Sequence, residues 1–251
     1  MSCGVLSIEG ASPSQVYDSI FPIFAAYNYR DLKRSHIVLA TIIAVLILDQ
    51  WLKVWIKLNL SYGEGFDILG LSWAKIHFVE NPGMAFGITL GGEVGKLILS
   101  SFRIVMVGVL IYIIRGFIKN KESIGFLISF ALIIAGAIGN IVDSAFYGIL
   151  FSESTFHGAP ATFMPAEGGY ESFLHGRVVD MFHFPLIDTV LPQWVPLWGG
   201  ERFEFFRPVF NVADAAISVG VISIILFHRR FFTADSSTTK EDQPTTIETS
   251  S

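Results

Sequence analysis

The sequence predicts an all-α integral membrane protein with four transmembrane helices, joined by long non-spanning segments on one side of the bilayer. Three observations predict it. Of the 251 residues, 52% are hydrophobic and 16% charged, whereas typical soluble domains carry about 25% charged residues. Four apolar runs approach the roughly 20 helical residues that cross a hydrocarbon core of about 30 Å. The acids in or beside those runs also converge on one depth, near one face of the membrane.

The first segment, 1–35, has no basic start, long apolar core and small-residue cleavage site, so it does not read as a signal peptide. Ile20–Tyr27 is apolar but too short to span. It reads as part of an N-terminal extension without a structural role rather than as an interfacial helix. The membrane domain is expected over 36–232. Its first span runs from about His36 to Ile56, and a rise of about 1.5 Å per residue puts Asp49 roughly 20 Å from the entry side. Residues 60–95 are too polar and Gly-rich to span, and within them Leu71–Val79 and Met84–Leu90 look like short strands between turns. The second span is expected over about Gly95–Ile114, the third over Ser123–Val142 and the fourth over Val209–Phe227. Between the last two lies 144–208, rich in Gly, Pro and aromatics, an insertion outside the bilayer or at its interface. Trp194, Trp198, Phe203, Phe205 and Phe206 read there as an interfacial belt or amphipathic segment.

The tail, 233–251, is Ser/Thr-rich and reads as disordered. Its four acids, Asp235, Glu241, Asp242 and Glu248, against Lys240 supply three of the five net negative charges. No basic patch points to nucleic acid. The single cysteine, Cys3, excludes an internal disulfide and makes a cysteine metal cluster implausible.

Orientation follows from the short flanks, because Lys and Arg accumulate on the cytoplasmic side. Arg30, Lys33 and Arg34 precede the first span; Arg115, Lys119 and Lys121 link the second and third; Arg229 and Arg230 follow the fourth. With four spans these sites share one face, so both termini are expected to be cytoplasmic. Asp49 and Lys53, Asn140 and Asp143, and Asn211 and Asp214 then lie at the outer ends of three spans, with Asp180 in the outer segment. A bare Asp inside an apolar span costs roughly 2.5–3.5 kcal/mol on insertion scales. Polar caps explain one such pair easily and three poorly.

Two carboxyls brought close do not both ionise easily, so one holds a proton while the other acts on water as a base. Asp180 and Asp214 come from separate segments that a fold can place face to face. Asn140 and Asn211 are neutral hydrogen-bonders suited to orienting such a pair or a substrate carbonyl. Asp143 is a candidate structural partner for Arg103 or Arg177, neither of which has an obvious mate. His157, His175 and His183 match no zinc spacing, and Ser218 and Ser223 have no convincing His partner. Asn81-Pro82-Gly83-Met84-Ala85-Phe86-Gly87 is a turn feeding a strand, or an outer strand edge on which an extended substrate pairs. Intramembrane acids also mark proton relays, and Asn/Asp pairs also join helices. A carrier and a scaffold without chemistry therefore stand beside the peptidase, although a carrier predicts acids spread through the bilayer and broken helices near its midplane.

With these residues laid out, the chain resembles the bacterial lipoprotein signal peptidases, also called signal peptidase II, over about 36–228. Asp49-Gln50 with Lys53 is similar to the family's first-span motif, and Glu80 to Gly87 to its Asn-x-Gly-x-Ala-Phe motif. Gly136–Asp143 resembles the third-span motif, Val178–Phe182 the next and Phe210–Asp214 the last. The resemblance implies a membrane aspartic endopeptidase of the bacterial inner membrane. It would remove the signal peptide of a diacylglyceryl-modified prolipoprotein, cutting before the lipidated cysteine. The catalytic pair falls on Asp180 and Asp214; Asp49, Lys53, Asn81, Gly83, Asn140, Asp143 and Asn211 fall on substrate-binding or supporting positions. It further implies a small extracytoplasmic β-sheet platform and an amphipathic helix on the membrane, in 60–95 and part of 144–208. Substrate and membrane lipid are the expected partners, the monomer the expected state, and no cofactor or metal is required. The chain departs from the pattern at Ser144, where the family usually has Arg, with Arg177 the candidate to supply that charge. The segments between Asp143, Asp180 and Asp214 are also longer than usual.

Overall fold

In a computed structural model that describes residues 13–82, 92–156 and 158–228, helix α1 runs from Pro13 to Asn59. The span expected from His36 is thus the second half of a longer helix. No Pro or Gly follows Pro22 until Gly63, so nothing in the backbone stops it earlier. Helix α2 covers Gly92–Lys119 and α3 Ile124–Val142. Ser123 caps α3, its Oγ accepting from the Phe126 N–H at 3.3 Å. The helical path does not end at Val142. It continues through a wide π-helical turn, Asp143–Tyr147, and a last α-helical turn, α4, Gly148–Leu150. The insertion expected from 144 therefore departs at Phe151.

Helix α5 is Val212–Phe227. It starts later than the apolar run because Val209–Phe210 is taken into a strand, β6. Among the described residues, three helical segments are long and apolar enough to cross a membrane: Lys33–Asn59, Val94–Lys119 and Ile124–Leu150. Helix α5 is apolar but shorter. The first twelve residues, Gly83 and the expected strand Met84–Leu90, His157, Arg229, Arg230 and the tail lie outside the described residues.

The remaining strands are β1 (Gly65–Asp67), β2 (Lys75–Asn81), β3 (Val178–His183), β4 (Ile187–Val190) and β5 (Arg202–Phe205). Four form an antiparallel sheet in the order β1-β2-β3-β6, and β4-β5 is a separate two-stranded hairpin. The expected strand over Leu71–Val79 is thus present, shifted towards Asn81. Ile76, Phe78 and Glu80 alternate as the buried face of β2. Val79 pairs with Asp180 and Ile76 with Phe182, so His77 and Phe78 together oppose Met181 in a bulge beside Asp180. Val179 and Met181 pack with Ile56, Leu60, Phe78 and Phe151, seating the sheet on the end of α1. Asp180, between them in an alternating strand, faces away from that core.

The amphipathic helix implied for part of 144–208 is not found among the described residues of 151–208, which hold strands and turns. Trp194 and Trp198 instead lie in the β4–β5 connection, Phe203 and Phe205 on β5, and Phe206 just after it. Trp194 is 81% exposed.

Two glycines allow α3 to come close to α5 and α1. A Cβ on Gly136 would stand 2.2 Å from the Ala213 carbonyl oxygen, and one on Gly139 would stand 2.7 Å from Asp49 Oδ2. Small residues at such crossings let backbones approach in membranes. Ser129 Oγ donates to Ser223 Oγ at 2.9 Å across the same interface, which gives Ser223 a packing role. Gly136→Ala should separate α3 from α5 and lower stability by about 1–3 kcal/mol, read as an earlier thermal unfolding transition in detergent. An unchanged transition would show that the crossing has slack.

Candidate active site

The site is built around a lysine without access to water. Lys53 is fully buried, and an ammonium has three donors and no acceptor. All three find an oxygen: Asp49 Oδ2 at 2.9 Å, Asp143 Oδ2 at 2.9 Å and Asn140 Oδ1 at 3.1 Å. Asp49 lies one turn before Lys53 on α1, so the pair meets by helical spacing alone. Asn140 and Asp143 come from the end of α3, where a three-residue spacing puts both on one face. Both acids are buried and further hydrogen-bonded, as buried charges must be.

Each carboxylate also holds a second element. Asp49 Oδ1 accepts the Ala213 N–H at 2.9 Å, satisfying one of the donors left open in the first turn of α5. Asp143 Oδ2 accepts the Val179 N–H at 3.1 Å, and its Oδ1 accepts from Gln50 Nε2 at 2.8 Å. The same Gln50 nitrogen reaches the Gly139 carbonyl oxygen at 3.2 Å, and Gln50 Oε1 accepts from Tyr147 at 3.1 Å. Asp143 therefore pairs with Lys53 and tethers β3; neither arginine suggested by the sequence is its partner.

Above this layer stand Asp180 and Asp214. Asn211 caps α5, its Oδ1 accepting the Asp214 N–H at 2.9 Å. That leaves its Nδ2 to donate to Asp180 Oδ1 at 2.7 Å and to the Val179 carbonyl at 3.2 Å. Asn140 Nδ2 donates to Asp214 Oδ1 at 2.8 Å, and the two carboxamides meet at 3.2 Å through Asn211 Nδ2 and Asn140 Oδ1. One hydrogen-bonded chain thus links Asp180, Asn211, Asn140 and Asp214. Asp180 is 4% exposed, whereas Asp214, in the first turn of α5, is half-buried. Burial, with the neighbouring Asp214 carboxylate adding to it, pushes the Asp180 carboxyl up to about 7. Such a pair can hold a proton on one carboxyl and keep the other as a base.

Of the positions singled out in the sequence, Asp49, Lys53, Asn140, Asp143, Asp180, Asn211 and Asp214 come together. Asn81 ends β2 opposite Val178, beside the strand that carries Asp180; Gly83 is outside the described residues. Arg177 does not supply the charge missing at Ser144. It reaches Glu80 Oε2 at 3.4 Å and Glu153 Oε1 at 3.1 Å, in a second polar cluster where buried Lys57 pairs with Glu80. The guanidinium near Ser144 is that of Arg103 on α2, with Nη1 3.4 Å from Ser144 Oγ. Sequence reading also missed Gln50 as a contributor, although it sits inside the Asp49-to-Lys53 turn. Among the described residues no three His, Cys, Asp or Glu side chains gather as metal ligands.

A family model described as signal peptidase (SPase) II matches residues 41–230, a stretch that contains the whole polar cluster. A lipoprotein signal peptidase of Porphyromonas gingivalis is 47% identical over 223 residues, covering 85% of this chain and 96% of that one. Another, of Amoebophilus asiaticus, is 37% identical over 186 residues, covering 73% of each chain. A third, of Chlorobium phaeobacteroides, is 32% identical over 190 residues, covering 75% of this chain and 93% of its own.

Lys53→Met should destabilise the fold by about 3–5 kcal/mol, because it leaves Asp49 and Asp143 buried without their cation. Neutralising both acids in the same chain, as Asp49→Asn with Asp143→Asn, should restore much of the loss. Chemical unfolding of the single and triple variants measures this, and equal stabilities would remove Lys53 as the keystone.

Proposed function

The chain belongs to the signal peptidase II family, and on that premise we propose that it removes signal peptides from diacylglyceryl-modified prolipoproteins, with Asp180 and Asp214 as an aspartic dyad. The observation that carries the reading is the hydrogen-bonded chain that joins these two carboxyls through Asn211 and Asn140. Buried Asp180 holds the proton; half-buried Asp214 is the base. Asp214 takes a proton from water as its oxygen attacks the scissile carbonyl carbon, while Asp180 gives its proton to the carbonyl oxygen. The tetrahedral diol collapses when Asp180 recovers a proton from a hydroxyl and Asp214 protonates the leaving nitrogen. The C–N bond breaks and the dyad returns to its starting charge. Asn140 and Asn211 hold the pair, and Asp49, Lys53 and Asp143 hold the asparagines and β3.

The bond cut is the one before the lipidated cysteine, with the lipid left in the bilayer and the signal helix between the spans. Helix α5 is the fourth span in this reading. Both termini are cytoplasmic and the dyad faces the outer side of the inner membrane, supported by the Lys and Arg at 30–34, 115–121 and 229–230. The acting state in this reading is a monomer.

The test is cleavage of a diacylglyceryl-modified prolipoprotein in lipid. Asp180→Asn and Asp214→Asn should each lose about 10³-fold or more of kcat while remaining folded, and substantial cleavage by either would overturn the assignment. The pH profile is a second test. Asp180 must be protonated to act, and with its pKa raised to about 7 the acid form is present below that value and lost above it. The kcat/KM should therefore fall as pH rises through about 7, with the apparent value belonging to the pair. A profile that stays level through the mildly alkaline range would contradict the proton assignment.

A further inference from the structure

Arg103 lies in the membrane-length part of α2, Val94–Lys119, where a permanent charge is costly and rarely idle. It does not sit on the lipid side. Ser100, Val107 and Ile114, which share its helical face by spacing, are buried, while Ile98, Val105 and Tyr112 on the opposite face are exposed. Ser100 Oγ donates to the Leu174 carbonyl at 3.1 Å, so this face of α2 packs on the segment that follows Ser144. The small side chain at Ser144 leaves room for a guanidinium.

What surrounds Arg103 is incomplete for a guanidinium, which has five donors in a planar fork. Among the described residues, its one hydrogen bond is the long one to Ser144 Oγ, at 3.4 Å. No carboxylate there lies within ion-pair distance, yet its charge interacts with Asp214, Asp143 and Asp180, in that order. A half-buried cation thus stands beside the dyad with donors to spare. Its ligand must offer lone pairs and no donors. A second anion beside two carboxyls is disfavoured by repulsion, whereas a carbonyl dipole is not.

We infer that Arg103 is a substrate-binding residue whose guanidinium donates to main-chain carbonyl oxygens of the prolipoprotein next to the scissile bond. The inference rests on the Asp180–Asp214 reading and deepens it. Peptide carbonyls fit the place because the scissile bond must itself lie against the dyad. The ester carbonyls of the diacylglyceryl group have the same chemistry, and the test separates the two.

The experiment measures kcat and KM of Arg103→Gln and Arg103→Lys in lipid bilayers, with thermal unfolding alongside. Arg103→Gln should raise KM about 10- to 100-fold, the scale of a charged hydrogen bond, with unfolding unchanged or later because a membrane-embedded charge has been removed. Arg103→Lys should fall between, since an ammonium lacks the fork. A merely structural arginine predicts the reverse: earlier unfolding with KM unchanged, which would overturn the inference. So would full activity of Arg103→Gln in a preparation where Asp180→Asn and Asp214→Asn are inactive. That outcome leaves the dyad standing, whereas an active Asp180→Asn or Asp214→Asn chain would sink the dyad instead. In a second arm the substrate carries ether-linked lipid, which has no ester carbonyl. A KM penalty that persists supports the peptide contact; one that disappears assigns Arg103 to the lipid esters and overturns it.

Discussion

The polarity of the whole site follows from one buried ammonium. Lys53 takes oxygen atoms only, so the Asn140 carboxamide must turn its Oδ1 inward. Its NH2 then points outward, where it meets Asp214. Asn211 is oriented from the other end. Its oxygen caps α5, so its NH2 faces Asp180. Two amides that are nearly symmetric in shape are thereby fixed in direction by a lysine on one side and a helix terminus on the other. The carboxyls above them receive donors and no competing acceptors. Removing the cation would free Asn140 to flip as well as leave two acids unpaired, so stability and site geometry are tied to the same atom.

One turn further along α1 the same device is repeated for a different purpose. Lys57 is buried, pairs with Glu80 on β2, and donates to Ser154 Oγ at 2.9 Å. Ser154 in turn donates to Glu80 at 2.9 Å, and Arg177 closes the group through Glu80 and Glu153. Tyr170 joins it, its OH accepting the Arg177 N–H at 2.7 Å and its ring lying 5.1 Å from the guanidinium. The residues between Phe151 and Arg177 thus bring their own polar partners to α1 and β2. Their ion pairs are separate from those of Lys53, which is how a long insertion fits between Asp143 and Asp180 without pulling on either.

Three of the four expected spans were legible because length and hydropathy alone determine what can cross a bilayer, and the acids stood out because a charge is anomalous in such a run. The Asn/Asp pairs marked most of the site for the same reason. Element ends were less legible. The extension of α3 through Asp143–Tyr147 depends on contacts made by the turn, and Val209–Phe210 looks like helix until its partner strand, β3, is known. Partners distant in sequence were not legible at all. Arg177 and Arg103 look equivalent as unmatched cations, and only the packing of α2 on α3, and of β3 on β2, distributes one to Ser144 and the other to Glu80. Gln50 stood in the Asp49-Gln50 motif without an assigned role because an amide carries no charge to make it conspicuous, although its links to Gly139, Asp143 and Tyr147 are as central as those of the acids.

Charge counting connects the buried layer to the chemistry proposed above it. In the proposed resting state Asp49 and Asp143 count as two negative charges and Lys53 as one positive, while Asp180, holding the proton, counts as none. Asp214 adds one negative charge and Arg103 one positive, leaving the group one charge short of neutral. Without Arg103 the excess would be two, in a setting where effective dielectric screening is weak. An arginine on a helix that contributes neither carboxyl of the proposed dyad therefore offsets part of the negative charge that the site gathers, while its guanidinium keeps donors free for the substrate carbonyls proposed above.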